Sequence, residues 1–301
     1  MTGVHPDSTA PAPTPPVTVL AATGRLGAAL VRLLSADGVR VIALGRDRVK
    51  LDRLAAEIGG DVVVRQADLA DPIPLAAALA DARIVISTAH ASFAPAILAA
   101  LPAGRVRRLV LTGSTRVFSR YPDWTADQVR AAEAALAVSG IPGILLLPTL
   151  IYGPEVGSVV HGIAAQLRRQ PFMPLPNGGK SLVQPVHVAD VARALAAAAR
   201  IDLLPAGPIV IAGPSPITYG EMVRAIGRAI GRPAVILPVP SVATDLAAAM
   251  LRRLPRGAAI AGAIQRLAED KAFDVEPMRR ALGVEPIDFA AGLATVFPPV
   301  S

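Results

Sequence analysis

Two glycines three residues apart, Gly24 and Gly27, follow a short apolar run in Val17-Thr-Val-Leu-Ala-Ala-Thr-Gly-Arg-Leu-Gly27. A helical pattern begins directly after them. In that arrangement the backbone can approach a pyrophosphate, and the helix N-terminus presents oriented N–H groups to it. Ala21 stands where the pattern prefers its first glycine, a substitution read as tolerated. Ala21, Thr23, Gly24, Arg25, Leu26 and Gly27 are therefore candidate contacts to a dinucleotide. The next strand pattern ends in Ala43-Leu-Gly-Arg46-Asp47-Arg48. A site for NAD(H) wants an acid at the end of this strand for the ribose hydroxyl. Arg46 stands there instead and suits a 2′-phosphate, with Arg25 as a second cation. NADP(H) is thus favoured over NAD(H), and Asp47 is the residue that would rescue NAD(H).

Composition removes other chemistries. The 301 residues contain no cysteine, which excludes disulfides, thiolate metal sites and cysteine nucleophiles. No two of the four histidines stand at metal-helix spacing, so no metal site is expected. Net charge is +7, but the arginines are spread along the chain and aromatics are only 3%, which argues against nucleic acid. Of the 30 basic residues only Lys50, Lys180 and Lys271 are lysines, and only Tyr121, Tyr152 and Tyr219 are tyrosines. No apolar run reaches the roughly 18 residues of a spanning helix. Residues 1–16 carry five prolines and no apolar core, as a disordered tail does and a signal peptide does not. A cytoplasmic location is the expectation.

Short Val/Ile/Leu runs alternate with helical patterns. Strands are expected at 17–20, 39–44, 62–66, 84–87, 109–112 and 143–147, with helices at 26–35, 48–58, 73–79, 93–101 and 126–139. Such repetition means a parallel sheet covered by helices on both faces. The fold class is α/β, a doubly wound parallel sheet of Rossmann type, with a smaller C-terminal α/β substrate-side region. The expected division is a core over 17–155 and a mixed region over 156–301 whose strands return to the core sheet. In that region strands are read at 183–188, 208–212 and 235–237, a helix at 189–199, and a Thr218/Glu221 capping box opening a helix to Ile230.

Ala21 to Gly27, Ala67-Asp68-Leu69, Ile86-Ser-Thr-Ala89, Leu147-Pro-Thr-Leu-Ile-Tyr-Gly-Pro154, Gln184 to Ala192 and Ile211-Ala-Gly-Pro214 together resemble the extended and atypical short-chain dehydrogenases/reductases. This superfamily includes sugar-nucleotide epimerases and dehydratases. The likeness covers roughly residues 17–295 and is allied to the respiratory complex I accessory-subunit group. It implies that Asp68 and Leu69 flank the adenine. Thr88, Ala89 and His90 would line the nicotinamide ribose, and Pro148 would pack near the nicotinamide.

Active members of this superfamily use a Ser/Thr and a Tyr followed four residues later by Lys. The tyrosine exchanges a proton with the substrate oxygen, and the lysine lowers the tyrosine pKa. Ser114 matches the serine, but the dyad is absent. The residues four after the three tyrosines are Thr125, Val156 and Val223. Aligning Glu133 with the family glutamate puts Thr125 at the tyrosine position and Val129 at the lysine position. Substitute proton donors are Tyr121, Tyr152, His90 and His187. The expected function is an NADP(H)-dependent oxidoreductase or epimerase-like enzyme on a carbonyl, quinone or sugar nucleotide. The alternative is a non-catalytic NADP(H)-binding structural or redox-sensor protein.

Other motifs read as structural. Gly179-Lys-Ser181 lacks the earlier glycine of a phosphate loop, and Pro174 stands in its place. His187 and Asp190 fit a strand-to-helix turn. Arg252, Arg253 and Arg256 beside Met250 and Leu251 read as a solvated helix end, with weak peripheral contact to anionic lipid as the alternative. Glu269, Asp270, Lys271 and Asp274 read as a polar surface. The chain is expected to be a monomer or homodimer acting on an unknown small molecule.

Overall fold

Strands that must be hidden on both faces are continuous apolar runs, and here they build the centre of the molecule. A computed structural model of the chain describes residues 15–298 apart from 122, 155, 156, 158 and 254–256, and apart from the side chains at 241, 245, 247, 258 and 259. Most of the expected tail, residues 1–14, lies outside these, as does Arg256. The first half runs β1 (Val17–Leu20), α1 (Arg25–Ala36), β2 (Val41–Gly45), α2 (Arg48–Ile58), β3 (Val62–Gln66), α3 (Pro72–Leu79), β4 (Ile84–Ser87), α4 (Ala94–Ala100), β5 (Arg108–Thr112), α5 (Trp124–Val138) and β6 (Gly143–Pro148). The second half runs β7 (Ile151–Tyr152), α6 (Val159–Arg169), β8 (Phe172–Pro176), β9 (Leu182–Val183), β10 (Val186–His187), α7 (Val188–Ala198), β11 (Ile209–Ile211), β12 (Ile217–Thr218), α8 (Tyr219–Ala229), β13 (Val235–Val239), α9 (Ser241–Leu251), α10 (Gly257–Arg266), α11 (Glu276–Leu282) and α12 (Phe289–Val296).

One seven-stranded sheet has the order β11-β6-β5-β4-β1-β2-β3, with every pairing parallel. This is the Rossmann-like α/β arrangement. The strand order reverses between β1 and β4, the crevice where such sheets bind ligands. Alternate side chains of one strand serve opposite faces. Ile144 and Leu146 join the core beneath α1 and α7, while Leu145 and Leu147 join the core beneath α4 and α5. A third core, built around Tyr152, Ile163, Met222, Ile226 and Phe289, lies among α6, α8 and α12.

Two local readings from sequence meet different outcomes. Thr218 caps α8 with the full reciprocal box, its hydroxyl accepting from the Glu221 N–H and the Glu221 carboxylate accepting from the Thr218 N–H. The single strand expected over 183–188 is instead two. β9 pairs antiparallel with β12 and β10 pairs parallel with β7. Pro185 between them has no N–H for a ladder. The buried Gln184 side chain then fixes the turn, donating to the Gly213 carbonyl at 2.7 Å and accepting from the Phe273 N–H at 2.8 Å.

Tyr152 is fully buried, packed edge-on against His187 and Phe289, and its hydroxyl has no hydrogen-bond partner. Burial pushes its pKa far above the ordinary phenol value, with Asp190 and Asp288 adding to the shift. A buried hydroxyl without a partner destabilises the fold. Tyr152→Phe is therefore expected to raise the unfolding free energy by about 1 kcal/mol, read as an increase in Tm by calorimetry; a lowered Tm would contradict the orphan hydroxyl.

Candidate functional site

The candidate site is built on the turn between β1 and α1. Ala21 adopts φ +56°, the left-handed region that favours glycine. The position that departs from the glycine pattern is thus held in the glycine conformation, at a cost of about 1–2 kcal/mol. Gly27 is required for a different reason. A Cβ there would lie 2.4 Å from the Ala21 carbonyl oxygen and 2.9 Å from the Ala22 Cα, so only glycine lets α1 sit this close to β1. Gly24 caps α1 without a side chain, and no acid occupies the first turn. The first N–H groups of the helix have no intrahelical acceptor. This cradle fits a dinucleotide pyrophosphate, which would rest on the N–H groups of Arg25, Leu26 and Gly27. The Arg25 guanidinium donates to the Gly157 carbonyl at 3.1 Å, bridging from the turn to the loop after β7. Thr88 ties the turn from the other side, its hydroxyl donating to the Leu20 carbonyl at 2.9 Å.

At the end of β2 the charges are already sorted. Asp47 caps α2, accepting from the Lys50 N–H at 3.1 Å, and that bond holds its carboxyl below the usual range. Arg48 pairs with Asp52 one turn on. The Arg46 backbone carbonyl accepts from Gln66, but its exposed guanidinium has no partner among the described residues. Lys50 and Arg53 line a cavity of about 180 Å³ with Thr23, between α1 and α2. At the end of β3, Asp68 is a turn residue whose carboxylate accepts from the Ala70 N–H, while Leu69 is buried. Ala89 follows Thr88 at half-exposure. His90 is exposed and stacks flat on Trp124, with centroids 4.9 Å apart, and its Nδ1 accepts from the Ser92 N–H.

Beyond β5, Ser114 is half-buried and caps a single 3-10 turn over 115–118. The Thr115 hydroxyl donates to the Pro148 carbonyl at 3.4 Å, so Ser114 and Pro148 belong to one neighbourhood. Tyr121 is half-buried and its phenol has no partner among the described residues. Val129 is buried in the core, packed beneath Gly113. Thr125 receives a cation from elsewhere: Arg116 lies 3.4 Å from its hydroxyl and 3.3 Å from Asp123. Tyr152 does not join this group. Its phenol is buried in the third core, away from solvent. His187 is also structural, capping α7 and meeting the Thr295 hydroxyl at 3.0 Å, with burial holding its pKa below the usual imidazole value. Asp190 is completely buried, pairs with Arg193 and accepts from the Ile287 N–H at 2.8 Å.

In the cluster read as a polar surface, Asp270 and Asp274 are exposed as expected, but Glu269 is buried and Lys271 half-buried, and the segment ties two regions together. Glu269 is buried and accepts from the Ser119 hydroxyl at 2.7 Å and the Arg120 N–H at 2.8 Å. Asp270 accepts from the Leu182 N–H at 2.8 Å. Arg266 reaches Asp123 at 3.0 Å. Burial raises the Asp123 carboxyl, but Arg116 and Arg266 outweigh it and hold the group below the usual range. This segment closes a cavity of about 360 Å³ lined by Thr115, Arg116, Phe118, Lys271 and Phe273 among others. Lys271 donates to the Arg266 carbonyl, and burial holds its ammonium below the usual lysine range. Its rarity as one of three lysines is the only sequence signal; its place beside Thr115 depends on long-range packing. Among the described residues no cluster of metal-ligating side chains occurs.

Two substitutions test the turn in opposite directions. Ala21→Gly should raise stability by roughly 1 kcal/mol by relieving the left-handed alanine. Gly27→Ala should lower it by about 2–3 kcal/mol and abolish dinucleotide binding. Denaturant unfolding and nucleotide fluorescence titration read both, and a neutral Gly27→Ala would refute the close approach.

The pattern of the NAD(P)H-binding family matches residues 21–200, more than half of the chain. The mitochondrial NADH dehydrogenase [ubiquinone] 1 alpha subcomplex subunit 9 of Arabidopsis thaliana is 28% identical over 223 residues, covering 68% of this chain and 55% of that protein. The chain thus matches about half the length of this relative. An NADPH-dependent quinone oxidoreductase of Escherichia coli, solved with NADPH, superposes with a TM-score of 0.74 at 22% identity, covering 93% of this chain and 99% of that one. A UDP-glucose 4-epimerase of Thermus thermophilus, solved with NAD, gives 0.70 at 19% identity, covering 94% and 98%. These two likenesses show the fold. With the glycine turn, the strand order and the family match in agreement, the chain belongs to the NAD(P)H-binding family, which is consistent with the resemblance to atypical short-chain dehydrogenases/reductases.

Proposed function

We propose that the chain binds NADP(H) across the ends of β1, β2 and β4 and acts as an oxidoreductase or epimerase-like enzyme on a carbonyl, quinone or sugar nucleotide. The observation that carries the cofactor preference is the sorting of charges after β2. Asp47, the acid available for a ribose diol, is consumed as the α2 cap, while the Arg46 guanidinium has no partner among the described residues. An unpaired guanidinium there suits a phosphate. Arg53 beside Thr23 adds positive charge to the same side of the turn, while Lys50 there pairs with Asp47 at 3.5 Å. When bound, the nicotinamide supplies hydride chemistry. Ser114 would hold a substrate oxygen, next to Thr115 and the Pro148 carbonyl. Arg116 and Lys271 give the neighbouring cavity its positive charge, and Phe118 and Phe273 give it an apolar wall, their rings 5.7 Å apart. Tyr121 is the tyrosine left available to a substrate. A quinone, which can take its protons from water, suits a site with no tyrosine–lysine pair. The cytoplasm is the proposed compartment.

The second reading, a non-catalytic NADP(H)-binding structural or sensor protein, draws on one observation. Val129, at the position aligned with the family lysine, is core, and no lysine takes its place on α5.

Arg46→Ala should weaken NADPH binding by about 10- to 100-fold, the worth of a charge-assisted hydrogen bond, and leave NADH binding unchanged. Fluorescence titration with both cofactors measures this, and equal losses for the two would overturn the NADP(H) preference. Oxidation of NADPH across a panel of quinones, carbonyls and sugar nucleotides, reduced at least tenfold by Ser114→Ala, supports the enzyme reading. Stoichiometric binding with no turnover supports the second.

A further inference from the structure

Helices α9 and α10 pack against each other with their residue sizes reversed. The described residues buried between and beneath them are small: Ala248, Gly257 and Ala261. Most of the large apolar side chains face outward, Leu251 and Ile264 being half-buried. Val242, Leu246 and Met250 are 77%, 62% and 63% exposed, and Ile260 on α10 is 53% exposed. Val242, Leu246 and Met250 recur every four residues, so they form one stripe along α9. A helix pair that meets only water hides its large residues. Small residues between helices, with large apolar ones outside, is the arrangement of helices whose surroundings are apolar. The strand feeding α9 continues the pattern. Val235 and Leu237 of β13 are exposed, and so is Phe172, the partner of Val235 on β8.

The charge at the end of α9 indicates what covers the stripe. Arg252 and Arg253 follow Met250 and Leu251 and are exposed. Arg252 donates to Gln265 at 2.7 Å, joining the two helices, and the Arg253 guanidinium has no partner among the described residues. The acid of α9, Asp245, is outnumbered by these arginines in the sequence, and the whole chain carries +7. A second copy would bring the same arginines and the same net charge. An anionic bilayer offers both halves of the complement, an acyl layer for the stripe and headgroup phosphates for the arginines. At 11 residues α9 is far too short to cross a membrane, so it would lie within the interface. We propose that the α9–α10 hairpin is a docking surface for anionic lipid bilayers, with Val242, Leu246 and Met250 entering the acyl boundary and Arg252 and Arg253 meeting the headgroups.

Vesicle flotation of the full chain tests this, using phosphatidylcholine vesicles with and without phosphatidylglycerol. The bound fraction should be at least tenfold higher on the anionic vesicles and should fall at high salt. L246E/M250E should abolish flotation, and R252A/R253A should reduce it roughly tenfold or more. Unchanged Tm and unchanged NADPH binding would establish that both variants are folded. If L246E/M250E does not fold, R252A/R253A, confined to exposed side chains, still decides the matter. Failure to float with anionic vesicles would overturn the proposal, as would flotation indifferent to both variants. So would a dimer in analytical ultracentrifugation that L246E/M250E dissociates, because the stripe would then be covered by a second copy.

Discussion

The closeness of α1 to the end of β1 is the constraint on which the site depends. Gly27 has no side chain because the Ala21 carbonyl and the Ala22 backbone already fill its space. That contact aims the N-terminus of α1 across the edge of the sheet, at the point where strand order reverses. Ala21 beside it holds a left-handed conformation, and the Thr88 hydroxyl on the Leu20 carbonyl holds the neighbouring strand in place behind it. A helix N-terminus binds an anion only if its N–H groups are free and correctly aimed. The aim follows here from the missing carbon of Gly27, and the free N–H groups from a cap residue, Gly24, that has no side chain.

A second set of contacts joins the C-terminal region to the sheet. Glu269 satisfies two donors on the segment after Ser114, Asp270 satisfies one beside β9, and Arg266 shares Asp123 with Arg116. The bonds to the buried carboxylates of Glu269 and Asp123 are more resistant to salt than the exposed pairs on α2, while the Asp270 bond is itself exposed. The cavity beside Thr115 exists because this latch spans it. Its walls come from the Ser114 turn and the 266–273 segment, so its shape is a property of the two regions together.

The sheet and its first five helices are legible in sequence because each is a local pattern. Continuous apolar runs, a Gly-rich turn and a capping box each depend on residues within a few positions of one another. What sequence conceals is long-range. Tyr152 carries a reactive group, and only the packing of α12 shows that Gly292 and Phe289 enclose it. Glu269, Asp270 and Lys271 are as polar as any surface, yet their partners lie up to 150 residues away. Asp47 reads as an acid available to a ribose, and the bond from the Lys50 N–H gives it a structural task as the cap of α2. Pro185 is the visible sign that one expected strand is two.

The Arg25 bridge to Gly157 sets a condition on the loop after β7. A Cβ at Gly157 would fall 2.6 Å from the guanidinium, so the loop meets the arginine with bare backbone. Only Nη1 of Arg25 is committed to that carbonyl, which leaves the other guanidinium N–H groups for an anion. One side chain would thus serve two partners, a ligand at the turn and the backbone after β7.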